Sequence, residues 1–327
     1  MPRRGVPGRK RGRRPGARPG SAMGAATARA REQKMAEEEA HRAVGSLAGL
    51  PPPDWARLPN EVLALILSWL PPEMLATRCR LVCRSWRDLV DGPAAWQLQW
   101  RREPSMRAAL EAVGRFPRLD WSRLGVLRPL GRNLIRNPCG TEQFQHWTVK
   151  CEFPEWNDGW NVEANRAPLE DAEAQTCFAS SFRWCQKEQV IDLLKEGFWQ
   201  DLLDTYQPDI VVTDWWGGCQ DCGCVYELSV ALLAANKRKK IDLFEAKPDP
   251  IPNGNDASYH KVTHTFRRYG RGVRYVRFRH RGKDTRFWAG HYGARVTNSS
   301  VVIQFSSESP ESLEPGLAFS QSSQFCL

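Results

Sequence analysis

Hydrophobic positions along this chain fall into two textures, one with the period of a helix and one with the period of a strand. From residue 60 to residue 98 they recur every three or four positions. Val62, Leu63, Ile66, Leu67 and Leu70 stand about one helical turn apart, which predicts a helix over Asn60–Leu70. Pro71-Pro72 stops it, and Pro72 suits the first position of a second helix that carries Met74, Leu75 and Cys79. A third helix is predicted over Arg80–Asp91, with Val82, Cys83, Trp86, Leu89 and Val90 on its apolar side. Gly92-Pro93 ends it, and Ala95-Trp96-Gln97-Leu98 begins another turn. A few helices this short enclose too small a core to be strongly stable alone, so the module is expected to complete its core against a partner.

Beyond about Gly125 the period changes to two. Strand signals separated by turn signals recur at Trp147–Cys151, Trp160–Glu163, Cys177–Trp184, Ile210–Trp215, Cys224–Leu233, Val262–Phe266, Val273–Arg279 and Val301–Phe305. Cys224, Tyr226, Leu228, Val230 and Leu232 alternate strictly, the mark of a strand with one buried face. Between Tyr275 and Val276 the alternation slips, which predicts a β-bulge. Only Lys187–Leu194 and Phe198–Asp204, split by Gly197, are read as helical here, and Met106–Val113 as a helical part of the connector before it. Many short strands and few helices imply an antiparallel sandwich, so the fold class is multidomain, α plus all-β. The expected layout is a disordered basic arm over 1–50, a helical module over 52–100, a linker over 101–125, a sandwich over 126–307 and a disordered Ser/Glu/Pro-rich tail over 308–327.

Composition changes this picture little. The chain of 327 residues is 41% hydrophobic with fourteen tryptophans, ample for two cores. Its formal charge of +10 is not a nucleic-acid footprint, because residues 1–35 hold eleven Lys/Arg against Glu32 and the remainder is balanced. No apolar run spans a membrane, and none follows the basic start as a secretory signal would require. Met23-Gly24-Ala25-Ala26-Thr27-Ala28 misses the myristoylation pattern at residue 28. Ten cysteines set among apolar residues, Cys79 and Cys83 on a helix face and Cys224 on a strand face, read as buried reduced thiols. Cys219-x-x-Cys222-x-Cys224 lacks a second ligand pair at zinc spacing, so no metal is expected. Asn298-Ser299-Ser300 spells a glycosylation acceptor but sits where a strand begins, and is read as structural.

Two stretches carry a resemblance. Leu58-Pro59-Asn60-Glu61-Val62-Leu63, then Cys79-Arg80-Leu81-Val82-Cys83-Arg84-Ser85-Trp86-Arg87 and Trp96, resemble an F-box. Gly131-Arg132-Asn133-Leu134-Ile135-Arg136-Asn137-Pro138-Cys139-Gly140, Asp158-Gly159-Trp160, Asp214-Trp215 and Trp288-Ala289-Gly290-His291-Tyr292-Gly293-Ala294-Arg295 resemble the F-box-associated domain of the sugar-recognising F-box proteins. The resemblance implies a jelly-roll-like sandwich, a Skp-family adaptor that hangs the receptor on a cullin scaffold, and N-glycosylated client proteins as targets. It implies a non-catalytic substrate receptor of a ubiquitin ligase, with no cofactor, working in the cytoplasm or at the cytosolic face of the endoplasmic reticulum. Nucleic acid is not an expected partner, and membrane contact is at most peripheral.

The adaptor-binding patch is assigned to Leu58, Pro59, Leu63, Ile66 and Leu81, since the module holds more apolar residues than it can hide. By the resemblance, sugar contacts lie on two loops, one with Cys219, Gln220 and Asp221 and one with Phe287 and Trp288. Aromatic faces there pack on a sugar ring's C–H face, and a carboxylate takes hydroxyl or acetamide groups. Trp160, Trp184, Trp199 and Trp215 are read as core. The sequence departs from the strong sugar binders in having Phe287 for a tyrosine, Ala289 for a lysine and Cys219-Gln220 for Arg-Ser. The run Arg279-His280-Arg281-Gly282-Lys283 points to an acidic or sulfated ligand. Three other readings stay open: a receptor for a protein degron without sugar, a glycan-cleaving enzyme, and a basic nucleic-acid binder. Against the enzyme, Asp221 has no evident second carboxylate, and glycoside hydrolysis normally needs two.

Overall fold

The computed structural model describes residues 58–103, 110, 116, 118–150 and 159–305. The expected arm over 1–50, the tail over 308–327 and, apart from Leu110, the helix over 106–113 lie outside the described residues.

Helix α1 (Asn60–Leu67) turns Leu63, Ala64 and Leu67 inward. Helix α2 (Pro72–Thr77) starts with Pro72 in its first turn and buries Leu75. The helix expected over Arg80–Asp91 is two pieces. A 3₁₀ turn (Cys79–Leu81) and α3 (Arg84–Asp91) are separated by Cys83, whose backbone is extended at φ −159° and ψ 176°. The break rotates Val82 and Cys83 into solvent, so Cys79 is a buried thiol and Cys83 is not. Gly92-Pro93 leads into α4 (Pro93–Trp100).

A fifth helix, α5 (Trp121–Leu127), lies in sequence between this module and the strands, its start capped by the Asp120 carboxylate, which accepts from Arg123 N–H at 2.9 Å. Trp121 packs tilted against Trp100 with ring centres 5.6 Å apart, and Trp100 stands 6.5 Å from Trp96. Gly125 lies so close to the Trp96 indole that a Cβ there would overlap the ring. On its other side α5 meets the sandwich, with the Arg123 guanidinium 4.9 Å over Trp199.

Ten strands follow: β1 (Thr148–Lys150), β2 (Asn161–Ala164), β3 (Thr176–Ala179), β4 (Cys185–Asp192), β5 (Asp209–Gly217), β6 (Cys224–Leu233), β7 (Lys240–Ala246), β8 (Tyr259–Phe266), β9 (Tyr275–Asp284) and β10 (Arg295–Gln304). They form two five-stranded antiparallel sheets, ordered β1-β4-β9-β6-β7 and β2-β3-β10-β5-β8, with a shared apolar core between them. The alternation in β6 is as expected, Cys224, Tyr226, Leu228, Val230 and Leu232 all facing inward.

Several expectations are corrected. Lys187–Leu194 is not a helix but most of β4, whose inward positions are Cys185, Lys187, Gln189 and Ile191. Two polar residues on the buried side erased the period-two signal. Only a short π-helical turn (Leu202–Tyr206) and the residues just before it are helical in the second predicted stretch. No bulge interrupts β9. Val273 precedes the strand, and Tyr275–Asp284 pairs in unbroken register with β4 and β6. The register shifts lie instead between Thr297 and Ser300 in β10 and between Leu232 and Leu233 in β6. Strand β7, at a sheet edge and with Lys240, Asp242 and Glu245 interrupting its apolar residues, was not foreseen. Trp160 and Trp199 are core, but Trp184 and Trp215 are half-exposed on the outer faces.

The core also holds charge. Asp214 on β5 is fully buried and accepts three hydrogen bonds: from Tyr226 Oη at 2.5 Å, from His280 Nδ1 at 2.7 Å and from Ser299 Oγ at 2.7 Å. Ser299, the middle of the supposed glycosylation signal, is thus committed to the interior. Beside this group Lys187 is wholly buried, its Nζ 3.3 Å from the Trp147 ring centre and 3.6 Å from that of Phe178. Burial drives its pKa well below the ordinary lysine value. Burial, helped by Lys187, lowers His280 to about 4. Unfolded His280 takes up a proton near pH 6.5 and the folded residue only near 4, so stability held above 6.5 is lost as pH falls between those values. The expected loss is up to roughly 3 kcal/mol. Thermal midpoints measured from pH 7 to pH 4 should fall steeply in the native chain and less steeply in His280→Gln.

Candidate functional site

Two surfaces collect the residues singled out by sequence. On the helical module, Leu58 is half-buried, Pro59 is exposed, and Ile66 and Leu81 are 38% and 71% exposed. Leu63 is corrected: at 2% exposure it belongs to the interior of α1 and supports the patch from beneath. Sequence reasoning missed Leu65, Trp69 and Met74, which are also exposed. Helical spacing alone could not tell which turns of so small a module face inward. So many exposed large apolar side chains on a few short helices are what a surface covered by another protein provides.

The second surface lies at one end of the sandwich, where the β5–β6 and β9–β10 loops meet. They are joined directly, Thr285 N–H donating to Gly223 C=O at 3.0 Å. Gly223 is required there, since a Cβ would strike Thr285 Oγ1 and the Ile251 carbonyl. Asn255 Nδ2 donates to the carbonyls of Cys219 (2.8 Å) and Cys222 (2.9 Å), and Asn253 Oδ1 accepts from Gly223 N–H at 2.8 Å. These amides fix a loop whose tip, Gln220 and Asp221, is exposed. Cys219 is half-buried beside Cys222, so of the three predicted residues it presents least. Burial raises the thiol pKa of Cys222, and that of Cys224 to about 12.

In the other loop, Phe287 and Trp288 are 64% and 49% exposed. They are held from below by Asp284, 4% exposed, whose carboxylate accepts the N–H of Phe287 at 2.6 Å and of Trp288 at 3.0 Å. Phe287 sits at φ +60° and Asp221 at φ +64°, left-handed backbone that non-glycine residues adopt at a cost of about 1 kcal/mol or more. Two such residues at the tips of adjoining loops mark positions that the surroundings impose. Buried Arg295 ties the returning chain, donating to the carbonyls of Gly293 (2.9 Å) and His291 (3.1 Å) and to Glu163 (2.8 Å).

The aromatic rim is wider than expected. Phe182 meets Phe287 edge-on at 4.9 Å, and Tyr292 meets Trp288 edge-on at 6.1 Å. Phe182 was hidden inside a stretch read as one continuous strand, although its place between β3 and β4 was the available clue. The arrangement offers aromatic faces, the Gln220 amide and the exposed Asp221 carboxylate. Such a set can hold a polar ring by stacking and directional hydrogen bonds. Arg279 and Arg281 are not part of it, since they lie on the outer face of β9.

A helical module with exposed apolar side chains thus precedes a sandwich whose loop end carries exposed aromatic residues. Family models described as F-box-like and as F-box associated region match residues 55–101 and 125–303, respectively. The chain belongs to the F-box proteins that carry an F-box-associated region. F-box only protein 27 of Mus musculus is 49% identical over 260 residues, covering 77% of this chain and 91% of that protein. Human F-box only protein 17 is 45% identical over 259 residues (76% and 91%), and human F-box only protein 6 is 40% identical over 250 residues (75% and 83%). Among solved structures, TmCBM61 in complex with beta-1,4-galactotriose reaches a TM-score of 0.33 at 12% identity, over 54% of this chain and 99% of that one, too low to argue from. The chain is therefore an F-box receptor of the substrate-binding type, and its F-box implies a Skp-family adaptor and a cullin scaffold as partners. No helix among the described residues is long and apolar enough to cross a membrane.

Asp284→Ala removes the acceptor for two loop amides. Hydrogen exchange at Phe287 and Trp288 is expected to accelerate by on the order of tenfold or more, with distant core amides unchanged.

Proposed function

We propose that this chain is the substrate-recognition subunit of a Skp–cullin–F-box ubiquitin ligase, binding N-linked glycans on glycoproteins and promoting their ubiquitination and degradation. The setting is cytoplasmic quality control, including retrieval at the cytosolic face of the endoplasmic reticulum. One observation carries the glycan reading. Phe287 and Trp288, exposed and aromatic, are locked by Asp284 next to a loop that exposes Gln220 and Asp221. A platform of that rigidity loses little conformational entropy when a sugar stacks on it. The chain performs no bond chemistry in this reading; it concentrates client lysines near the transfer machinery.

A receptor for a protein degron without sugar is the second reading, favoured by Ala289 and Phe287 standing where strong sugar binders have lysine and tyrosine.

A glycan array probed with the full chain bound to its adaptor separates the two. Binding to chitobiose-containing glycans, weakened at least roughly tenfold by Trp288→Ala and by Asp221→Ala, is the expected result. Both side chains are solvent-exposed enough for the fold to survive their loss. Absence of any glycan binding by the folded native chain would leave the degron receptor. On the helical module, Leu81→Asp is expected to weaken adaptor binding by roughly tenfold or more while leaving the melting temperature nearly unchanged. Leu63→Ala is expected to lower stability by about 2–5 kcal/mol, because that side chain is interior.

A further inference from the structure

The outer face of the β1-β4-β9-β6-β7 sheet carries a feature that the loop site does not use. Strand β9 is its central strand, and its outward positions are Tyr275, Arg277, Arg279, Arg281 and Lys283. Four cations thus stand at alternate residues along one strand, spaced by about 7 Å. Two are engaged. Arg281 pairs with Glu227 at 2.7 Å and lies 4.3 Å over the Trp184 ring, and Lys283 stands 5.0 Å from the same ring. Arg277 and Arg279 have no ion-pair partner among the described residues. A groove of about 160 Å³ opens beside Arg279, bordered by Gln186, Ser229, Glu245 and Lys247.

The neighbours of this row restrict what it can hold. Across from Arg279 stand Glu188 on one side and Ser229 on the other, and Ser229 is itself paired with Glu245. Across from Arg281 stand Gln186 and Glu227. Glu188 is taken up by Lys150 at 3.2 Å and Glu227 by Arg281, so an anionic ligand is held along the line of Arg277 and Arg279. Farther along, Arg277 is flanked by Val190 and Ala231, and Ala231 by Leu243; Val190 and Leu243 are 47% and 39% exposed. Exposed apolar side chains therefore stand at the level of Arg277 on either side of it, Val190 on β4 and Leu243 on β7.

We propose that this face is a second binding site, for an extended acidic peptide segment of the captured client, with carboxylates at alternate residues followed by an apolar residue. An extended chain repeats its side chains on one side every two residues, about 7 Å, which matches the spacing of Arg277, Arg279 and Arg281. Acidic side chains neutralise the two unpaired guanidiniums, peptide amides meet Gln186 and Ser229, and an apolar side chain packs on Val190 beside Arg277. The proposal rests on the reading of the chain as a client receptor. It adds to the glycan loops a contact with the polypeptide itself, so that a client bearing both features gains from their linkage.

The test uses the full chain with its adaptor and a fluorescein-labelled peptide carrying glutamates at alternate positions and a terminal leucine, read by anisotropy. The peptide is expected to bind, to weaken as salt rises, and to lose roughly tenfold in affinity to the Arg277→Glu/Arg279→Glu variant. A peptide with lysines in place of the glutamates is expected to bind that variant better than it binds the native chain, which also shows that the variant is folded. Trp288→Ala is expected to leave peptide binding unchanged, so failure here and failure of the glycan reading are distinguishable. The proposal is overturned if the peptide does not bind at low salt, or if it binds the charge-reversed variant equally well. It is also overturned if single-stranded RNA or a sulfated oligosaccharide displaces it at lower concentration than unlabelled peptide does.

Discussion

Asp214 is a buried carboxylate through which the two sheets are joined. It sits on β5 in one sheet, and its carboxylate takes Tyr226 from β6 and His280 from β9 in the other, as well as Ser299 from β10 in its own. A carboxylate buried without such donors would cost several kcal/mol, so the four residues are mutually obligatory. The consequence reaches the loops. Beyond Asp214 the same strand runs on to Gly217 and then to the Cys219–Asp221 loop. Beyond His280, β9 runs on to Asp284, the acceptor that fixes Phe287 and Trp288. Fixing the register at the centre of the sandwich therefore fixes the relative position of the two loops at its end.

The helical module is coupled to this body by aromatic packing. Trp96, Trp100 and Trp121 pack in sequence with tilted rings, and Arg123, two residues beyond Trp121, lies over Trp199 of the sandwich. The Arg128 guanidinium pairs with Glu103 at 3.0 Å across the connector. A receptor that works by bringing a client near a transfer enzyme benefits when adaptor surface and client surface keep a set spacing, because a loose tether would dilute the effective concentration of client lysines.

What the sequence revealed follows from where polarity and burial agree. Strand β6 was legible because its inward residues are all apolar, and the resemblance to the F-box proteins was carried by motifs in both parts of the chain. Strand β4 was misread because its inward face includes Lys187 and Gln189. Lys187 is interior only because Trp147 and Phe178, distant in sequence, wrap its stem and ammonium. The break at Cys83 was invisible because nothing local forbids a helix there; tertiary packing decides it. The loop residues Phe287, Trp288 and Asp221 came from the resemblance, and no pattern in the sequence could show that Asp284 reaches back to their backbone or that Phe182 joins them. The basic run at Arg279–Lys283 was visible as charge. Its division between a buried His280 and an outward cationic row needed the strand to be placed.

The most direct test of the account is ubiquitin transfer by the reconstituted ligase, with this chain as receptor, to one glycoprotein presented with its N-glycans and after their enzymatic removal. The account predicts transfer to the glycosylated form that falls strongly on deglycosylation and is inhibited by free chitobiose. Equal transfer to both forms, insensitive to the sugar, would contradict it.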